Sequence, residues 1–431
     1  MTVSHAIRYI RITPIAFRDP PLLNAAGIHE PWALRSIIEI ETDSGLVGIN
    51  ESYGDLPMLE VLAKAAPGVV GLSPWALTQM ESRVAALVTP PALSVSEFLG
   101  QQVSLAPGTH VSKNVAKVVS AFEVAMLDLQ GQMAAAPVVD LLGGAARDRV
   151  PYSAYLFYKY AEHIDKPHVP DAWGEAITPQ QLVAQARRMI AEYGFKSIKL
   201  KAGTLQPEQE AAGILALAAA FPRTPLRIDP NANWSVATSL KIVKQLQGVL
   251  EYYEDPAPGL EGMAAVAREC DVPLATNMVV TDFAEFRRNV DMGCPVKIVL
   301  SDHHYWGGLR ATQQLSRLCR TFDLGLSMHS NSHLGVSLMA MTHLCASVPQ
   351  LTYACDTHYP WQDDEVVAGG RLKFEGGRLR VPTTPGLGVT LDHTALARLH
   401  DNYLNCGIRN RNDLAQMRKY NPAFTGVQPR F

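Results

Sequence analysis

Cysteine is scarce in this chain, with six among 431 residues: Cys270, Cys294, Cys319, Cys345, Cys355 and Cys406. They lie far apart in sequence, without the paired spacing of a zinc site or the density of a disulfide framework, so a reducing cytoplasm is the expected setting. An excess of basic charge is also missing. A net charge of -3 with interspersed signs supplies no cationic stripe to neutralise phosphates, which excludes nucleic acid as an expected partner. No apolar run is long enough to span a bilayer, and the N-terminus alternates through Arg8, Tyr9, Ile10, Arg11 and Ile12 where a signal peptide would stay apolar. No membrane partner and no export are expected. Low-complexity tracts and short repeats are absent too.

What is present is an ordinary globular composition, 47% hydrophobic and 18% charged, in a chain longer than one core usually supports. Two domains, one of barrel size, are the starting expectation. Ile7 to Ile12 and Arg35 to Glu41 alternate in character, and Asp43-Ser44-Gly45 turns the second run back into Leu46 to Ile49, the pattern of an antiparallel meander. Helical periodicity follows from Val118 through Gln132, with Phe122, Ala125, Met126 and Leu129 on one face.

After Val150 the texture changes to short apolar strands, each ending in a polar residue and separated by helix-length segments. Eight are expected: Tyr152 to Phe157, Lys196 to Lys201, Leu226 to Asp229, Glu251 to Glu254, Pro273 to Asn277, Val296 to Asp302, Leu324 to His329 and Leu351 to Asp356. Eight parallel βα units close a barrel. The fold class is therefore α/β: a modified TIM-type barrel over 146–376, preceded by an α+β capping domain over 1–145. The tail, 377–431, with its Gly386-Leu387-Gly388 turn, is expected to pack back on the capping domain and complete it.

Active sites of such barrels lie at the C-terminal strand ends, so a polar residue closing an apolar strand is a candidate for chemistry. Lys199 and Lys201 flank Leu200, and strand alternation sends both into the same mouth. Two adjacent ammonium groups repel and lower each other's pKa, which suits one of them to act as a base. An isolated Lys-x-Lys more often marks a solvated strand end. Asp229, Glu254 and Asn277 close the next three strands. Hard oxygen ligands without sulfur or nitrogen suit Mg²⁺, although Asp229-Pro230 and Asp255-Pro256 also read as turns. Asp302 and His329 end strands six and seven, and an Asp that accepts from one imidazole nitrogen raises the basicity of the other. His329 faces Lys201 across the barrel, so a base stands on each side of a substrate carbon. Abstraction of a proton alpha to a carboxylate needs the developing charge bound by metal and cations, as enolase-superfamily sites do with a Lys or His base and Mg²⁺.

Five segments then resemble the glucarate dehydratase subgroup of the enolase superfamily: Lys199-Leu200-Lys201-Ala202-Gly203, Asp229-Pro230-Asn231-Ala232-Asn233-Trp234, Glu254-Asp255-Pro256, Ala275-Thr276-Asn277-Met278 and His329-Ser330-Asn331-Ser332-His333. The resemblance extends over nearly the whole chain, through Asn24 to His29, Tyr155-Leu156-Phe157, Asp356-Thr357-His358 and Pro385 to Gly388. Asn277 as third ligand is the telling choice, since many relatives carry a carboxylate there.

This resemblance implies a Mg²⁺-dependent carbon-oxygen lyase acting on a dicarboxylic acid sugar, with D-glucarate or L-idarate converted to 5-keto-4-deoxyglucarate. It implies His329 with Asp302 as one base, Lys201 as the other, Lys199 stabilising charge, Asn331 in the catalytic set and Asp356 bonded to the reacting oxygen. Asn231 and Ser330 match positions near the substrate, while His29, Tyr155, Phe157 and Arg411 would enclose its distal end, Arg411 through its bidentate fork. Tyr155 and Phe157 also suit barrel filling, and Arg411 a surface charge. A homo-oligomer is expected. A dehydratase or epimerase for another acid-sugar diastereomer stays open, as does a non-catalytic barrel. The chain departs from the subgroup at Asp255-Pro256-Ala257-Pro258-Gly259, where a cysteine is usual, and at Asp302-His303, where a proline usually follows the Asp. The region between Pro91 and Lys117 matches poorly, and a specificity loop is expected there.

Overall fold

The computed structural model describes residues 5–88, 110–165 and 170–431; most of the expected specificity loop therefore lies outside the described residues. The meander is present and longer than its alternating core: β1 (Ile7–Arg18), β2 (Trp32–Thr42) and β3 (Val47–Tyr53) form an antiparallel sheet. Ile12 pairs with Ile38 and Ile40 with Gly48, so β-branched side chains stack on one buried face. The helix Asn114–Ala134 lies across that sheet, with Phe122, Ala125, Met126 and Leu129 all buried. Gly48 permits this approach, because a Cβ there would stand 2.1 Å from the Ala125 carbonyl oxygen.

Seven barrel strands follow in one parallel sheet whose spatial order is their chain order: β4 (Ala154–Phe157), β5 (Ile198–Lys201), β6 (Leu226–Asp229), β7 (Leu250–Glu254), β8 (Leu274–Thr276), β9 (Ile298–Ser301) and β10 (Gly325–Met328). The expected eighth strand is a correction. Leu351 to Asp356 bonds to β10 and to the segment that leads into β4, with Thr352 N donating to Leu326 O at 3.1 Å, Asp356 N to Met328 O at 2.9 Å and Cys355 N to Pro151 O at 2.9 Å. It is not a regular strand, because side-chain hydroxyls take ladder positions: Ser327 Oγ donates to Ala354 O at 3.0 Å and Leu326 N to Thr352 Oγ1 at 3.3 Å.

The register sets the mouth. Phe157 pairs with Lys201 and Lys201 with Asp229, while Tyr155 pairs with Lys199, so side chains two residues apart form two inward layers. Residues after 377 contact both the entry to the barrel and the N-terminal sheet. Arg378–Arg380 pairs antiparallel with Arg149–Pro151, and the helix His393–Asn405 lies on β1, where His400 Nδ1 donates to Pro14 O at 2.7 Å. No helix among the described residues is long and apolar enough to cross a membrane.

Candidate active site

Asp229 and Glu254 are the last residues of β6 and β7, and Asn277 directly follows β8. Oxygen atoms of Asp229, Glu254 and Asp255 lie within 4.8 Å of one another, and all three residues are buried. Asn277 Oδ1 is buried with no hydrogen-bond partner among the described residues. An orphaned carbonyl beside clustered carboxylates is the donor set of a hard divalent cation, and these residues fit one. Asp255, read from sequence as a turn marker, also braces the neighbouring strand end. At φ 37 its carboxylate turns inward, accepting from Thr276 Oγ1 and, at 2.9 Å, from Asn277 N. Burial, and then the Asp229 charge, push the Asp255 carboxyl up to about 7. Burial and Asp229 also raise Glu254, the strain expected of carboxylates packed around a cation's place.

Both lysines reach this cluster. Lys201 Nζ donates to Asp229 Oδ2 at 2.7 Å and to Asn231 Oδ1; Asn231, at φ 54, is fixed by its own N–H on Asp229 Oδ1 at 2.9 Å. Lys199 Nζ donates to Glu254 Oε1 at 2.7 Å and Asp356 Oδ2 at 2.6 Å, and stands 4.6 Å from the Tyr155 ring centroid. The expected mutual depression of the two lysines does not govern Lys199: burial lowers its pKa, but Asp356 and Glu254 outweigh burial and hold it well above its ordinary value. It stays an ammonium. Both contacts join residues far apart in sequence, which motif spacing alone could not supply.

On the other side, Asp302 follows β9 and His329 follows β10. Asp302 Oδ2 accepts from His329 Nδ1 at 3.1 Å and from Asn331 Nδ2 at 3.2 Å. Asp302 Oδ1 accepts from His304 Nδ1 at 2.6 Å and His304 N at 3.0 Å. Burial opposes its ionisation, yet His304 and His329 hold the carboxyl well below the usual range. With Nδ1 donating to Asp302, His329 keeps a lone pair on Nε2, the arrangement of a base.

The outer residues divide. Tyr155 and Phe157 are buried, their rings 4.6 Å apart and packed against His358 at 4.9 and 5.1 Å, so both fill the barrel while lining its mouth. Ser330 Oγ joins His333 Nε2 and His358 Nδ1, each at 3.2 Å. His29 Nδ1 donates to Asp19 Oδ2 at 3.0 Å. The Arg411 fork is engaged by Asp413, with Nε and Nη2 each donating at 2.7 Å, a partner two residues away that sequence reading passed over. Arg35, Tyr53 and His304 carry no strand-end signal in the sequence; Arg35 and Tyr53 stand on the N-terminal sheet, where no strand-end rule points.

The description "Enolase C-terminal domain-like" fits residues 181–395. A probable glucarate dehydratase from Streptomyces coelicolor is 49% identical over 427 residues, covering 98% of each chain. This chain belongs to the enolase superfamily. Solved superfamily structures align along its whole length: an enolase from Pseudomonas fluorescens with bound magnesium, potassium and tartrate, at 58% identity, TM-score 0.95 and 100% of both chains, and one from Thermobispora bispora with magnesium and formate, at 53% identity, TM-score 0.94, 99% of this chain and 100% of the other. The superfamily assignment accords with the carboxylates, lysines and Asp–His pair gathered at one barrel mouth.

Proposed function

We propose that this enolase-superfamily enzyme is a Mg²⁺-dependent acid-sugar dehydratase, acting on D-glucarate or L-idarate to form 5-keto-4-deoxyglucarate. The observation that carries the reading is an oxygen-rich cluster that Lys201 Nζ joins through Asp229, together with the Asp302–His329 pair just past β9 and β10 of the same sheet. A relative named as a probable glucarate dehydratase at 49% identity, and neighbours with bound magnesium, support it. Asp229, Glu254 and Asn277 would hold Mg²⁺, which as a Lewis acid would acidify the proton alpha to a bound carboxylate.

The chain's own residues do the rest. His329 Nε2 accepts the alpha proton while Asp302 stabilises the imidazolium. The C–H electron pair becomes the carbon-carbon double bond as the neighbouring hydroxyl takes the proton from the His329 imidazolium and leaves as water, and the enol tautomerises to the ketone. Lys201 handles the opposite configuration, and Lys199, fixed as a cation, offsets charge on the substrate oxygen. The same reading treats 1–145 as the capping unit, 146–376 as the barrel and 377–431 as the returning tail. Incubation with an aldarate library and Mg²⁺ tests it: semicarbazide-reactive keto acid from glucarate and idarate is expected. Epimerised acid without keto product would favour an epimerase instead.

A further inference from the structure

Arg35, on β2 of the N-terminal sheet, enters the barrel mouth from outside the barrel. It is only 2% exposed, and its three nitrogens are spent on three partners. Nε donates to Glu51 Oε1 at 3.1 Å, Nη2 to His304 Nε2 at 2.8 Å and Nη1 to Asn331 Oδ1 at 3.2 Å. Glu51 is itself pinned by Leu334 N at 2.9 Å and Ser337 N at 3.1 Å, so the guanidinium has little freedom to move.

Arginine only donates, and that decides the protons around it. His304 Nε2 must present a lone pair to Arg35, so the His304 proton lies on Nδ1 and is donated to Asp302 Oδ1 at 2.6 Å. Asn331 must turn its oxygen to Arg35, which directs its Nδ2 to Asp302 Oδ2 at 3.2 Å. Both side chains that share Asp302 with His329 are thus oriented by one residue. Burial and then the Arg35 charge also hold nearby His333 well below the usual imidazole pKa, so the field of Arg35 reaches the surrounding histidines.

We infer that Arg35 and His304 are positioning residues for the His329 base: Arg35 sets His304 and Asn331 as donors to Asp302, and Asp302 so held keeps the His329 Nε2 lone pair toward the substrate. The role given to His329 rests on the function proposed above; the network does not. Two measurements separate them. Nitrogen-15 spectra of the Mg²⁺-loaded full chain, with His304 identified by its loss in His304→Asn, are expected to show a protonated Nδ1 and a bare Nε2; the opposite tautomer overturns the inference.

In His304→Ala, solvent-deuterium exchange of the alpha proton on the His329 face is expected to fall about 10- to 100-fold, the loss typical when a partner that orients a metal-ligating side chain is removed, with exchange on the Lys201 face held within about twofold. His304→Asn, which puts an amide donor where Nδ1 stands, should recover part of the loss. Equal loss on both faces, or no loss on either, would mean the network only fastens sheet to barrel. Should the unmutated protein exchange no acid-sugar proton, the proposed function fails while the tautomer still decides the network.

Discussion

Asn277 offers a prediction with two opposite signs. Its Oδ1 is buried without a partner among the described residues, beside the carboxylates of Asp229, Glu254 and Asp255. A buried acceptor without a donor costs about 1–3 kcal/mol. Asn277→Leu keeps the branching of the side chain and removes that cost, so in EDTA the variant should melt above the parent. With cation the variant should lose ground to the parent. At a concentration one hundred times its dissociation constant, a ligand bound only by the folded state adds about 2.7 kcal/mol. If losing one of three protein ligands weakens binding about a hundredfold, the same concentration adds only about 0.4 kcal/mol. Scanning calorimetry of both proteins, in EDTA and in Mg²⁺, reads all four stabilities. A variant less stable than its parent in EDTA, or one with an undiminished Mg²⁺ shift, would remove Asn277 from the donor set.

The two bases should separate by configuration: Lys201→Ala is expected to abolish alpha-proton exchange at one configuration and His329→Asn at the other, and equal loss of both from either change would refute two-faced chemistry. Asp229→Asn should weaken Mg²⁺ binding by at least about tenfold in titration calorimetry, because a charged ligand becomes neutral; unchanged affinity would end its assignment. Glu123 supplies a pH test away from the site. Buried against Leu309 N at 2.6 Å, its carboxyl is pushed up from 4.5 to about 7, chiefly by burial. A raised acid pKa means the fold prefers the protonated form, so stability is greatest below pH 4.5 and falls as pH rises toward and past 7. The loss amounts to about 3 kcal/mol. Glu123→Gln should flatten that slope and melt higher than the parent at pH 8.

The barrel is legible in the sequence because its strands are short and apolar and each ends on a residue whose polarity has no packing reason. Asp229, Glu254, Asn277, Asp302 and His329 stand out on that ground alone; Asp229 and Glu254 meet in the oxygen cluster, and Asp302 meets His329. The eighth strand misleads because Leu351 to Asp356 has the same pattern as the others, whereas the hydroxyls of Ser327 and Thr352 take some of its ladder positions. Lys199 misleads for a different reason. Its neighbour in sequence is Lys201, but its neighbours in space are Glu254 and Asp356, 55 and 157 residues away. Arg411 shows the converse, since its partner Asp413 stands two residues off and carries no signal in the sequence pattern.

Arg35 marks the limit of strand-end reasoning. In the sequence it is one polar residue in an alternating strand, where solvent exposure is the ordinary expectation. Pairing β2 with β3 sets Arg35 against Tyr53 across the sheet, its guanidinium lies 4.9 Å from that ring centroid, and Glu51 on the same strand as Tyr53 binds it. Glu51 also caps the start of the helix Gly335–Ser347, which follows β10, so its charge meets the positive helix end. One ion pair therefore ties the N-terminal sheet to the helix that follows His329. The barrel alone supplies Asp302 and His329, but the orientation of the residues around them depends on a strand that precedes the barrel by more than a hundred residues. A barrel excised from that sheet should keep its carboxylates and lose the order of its base.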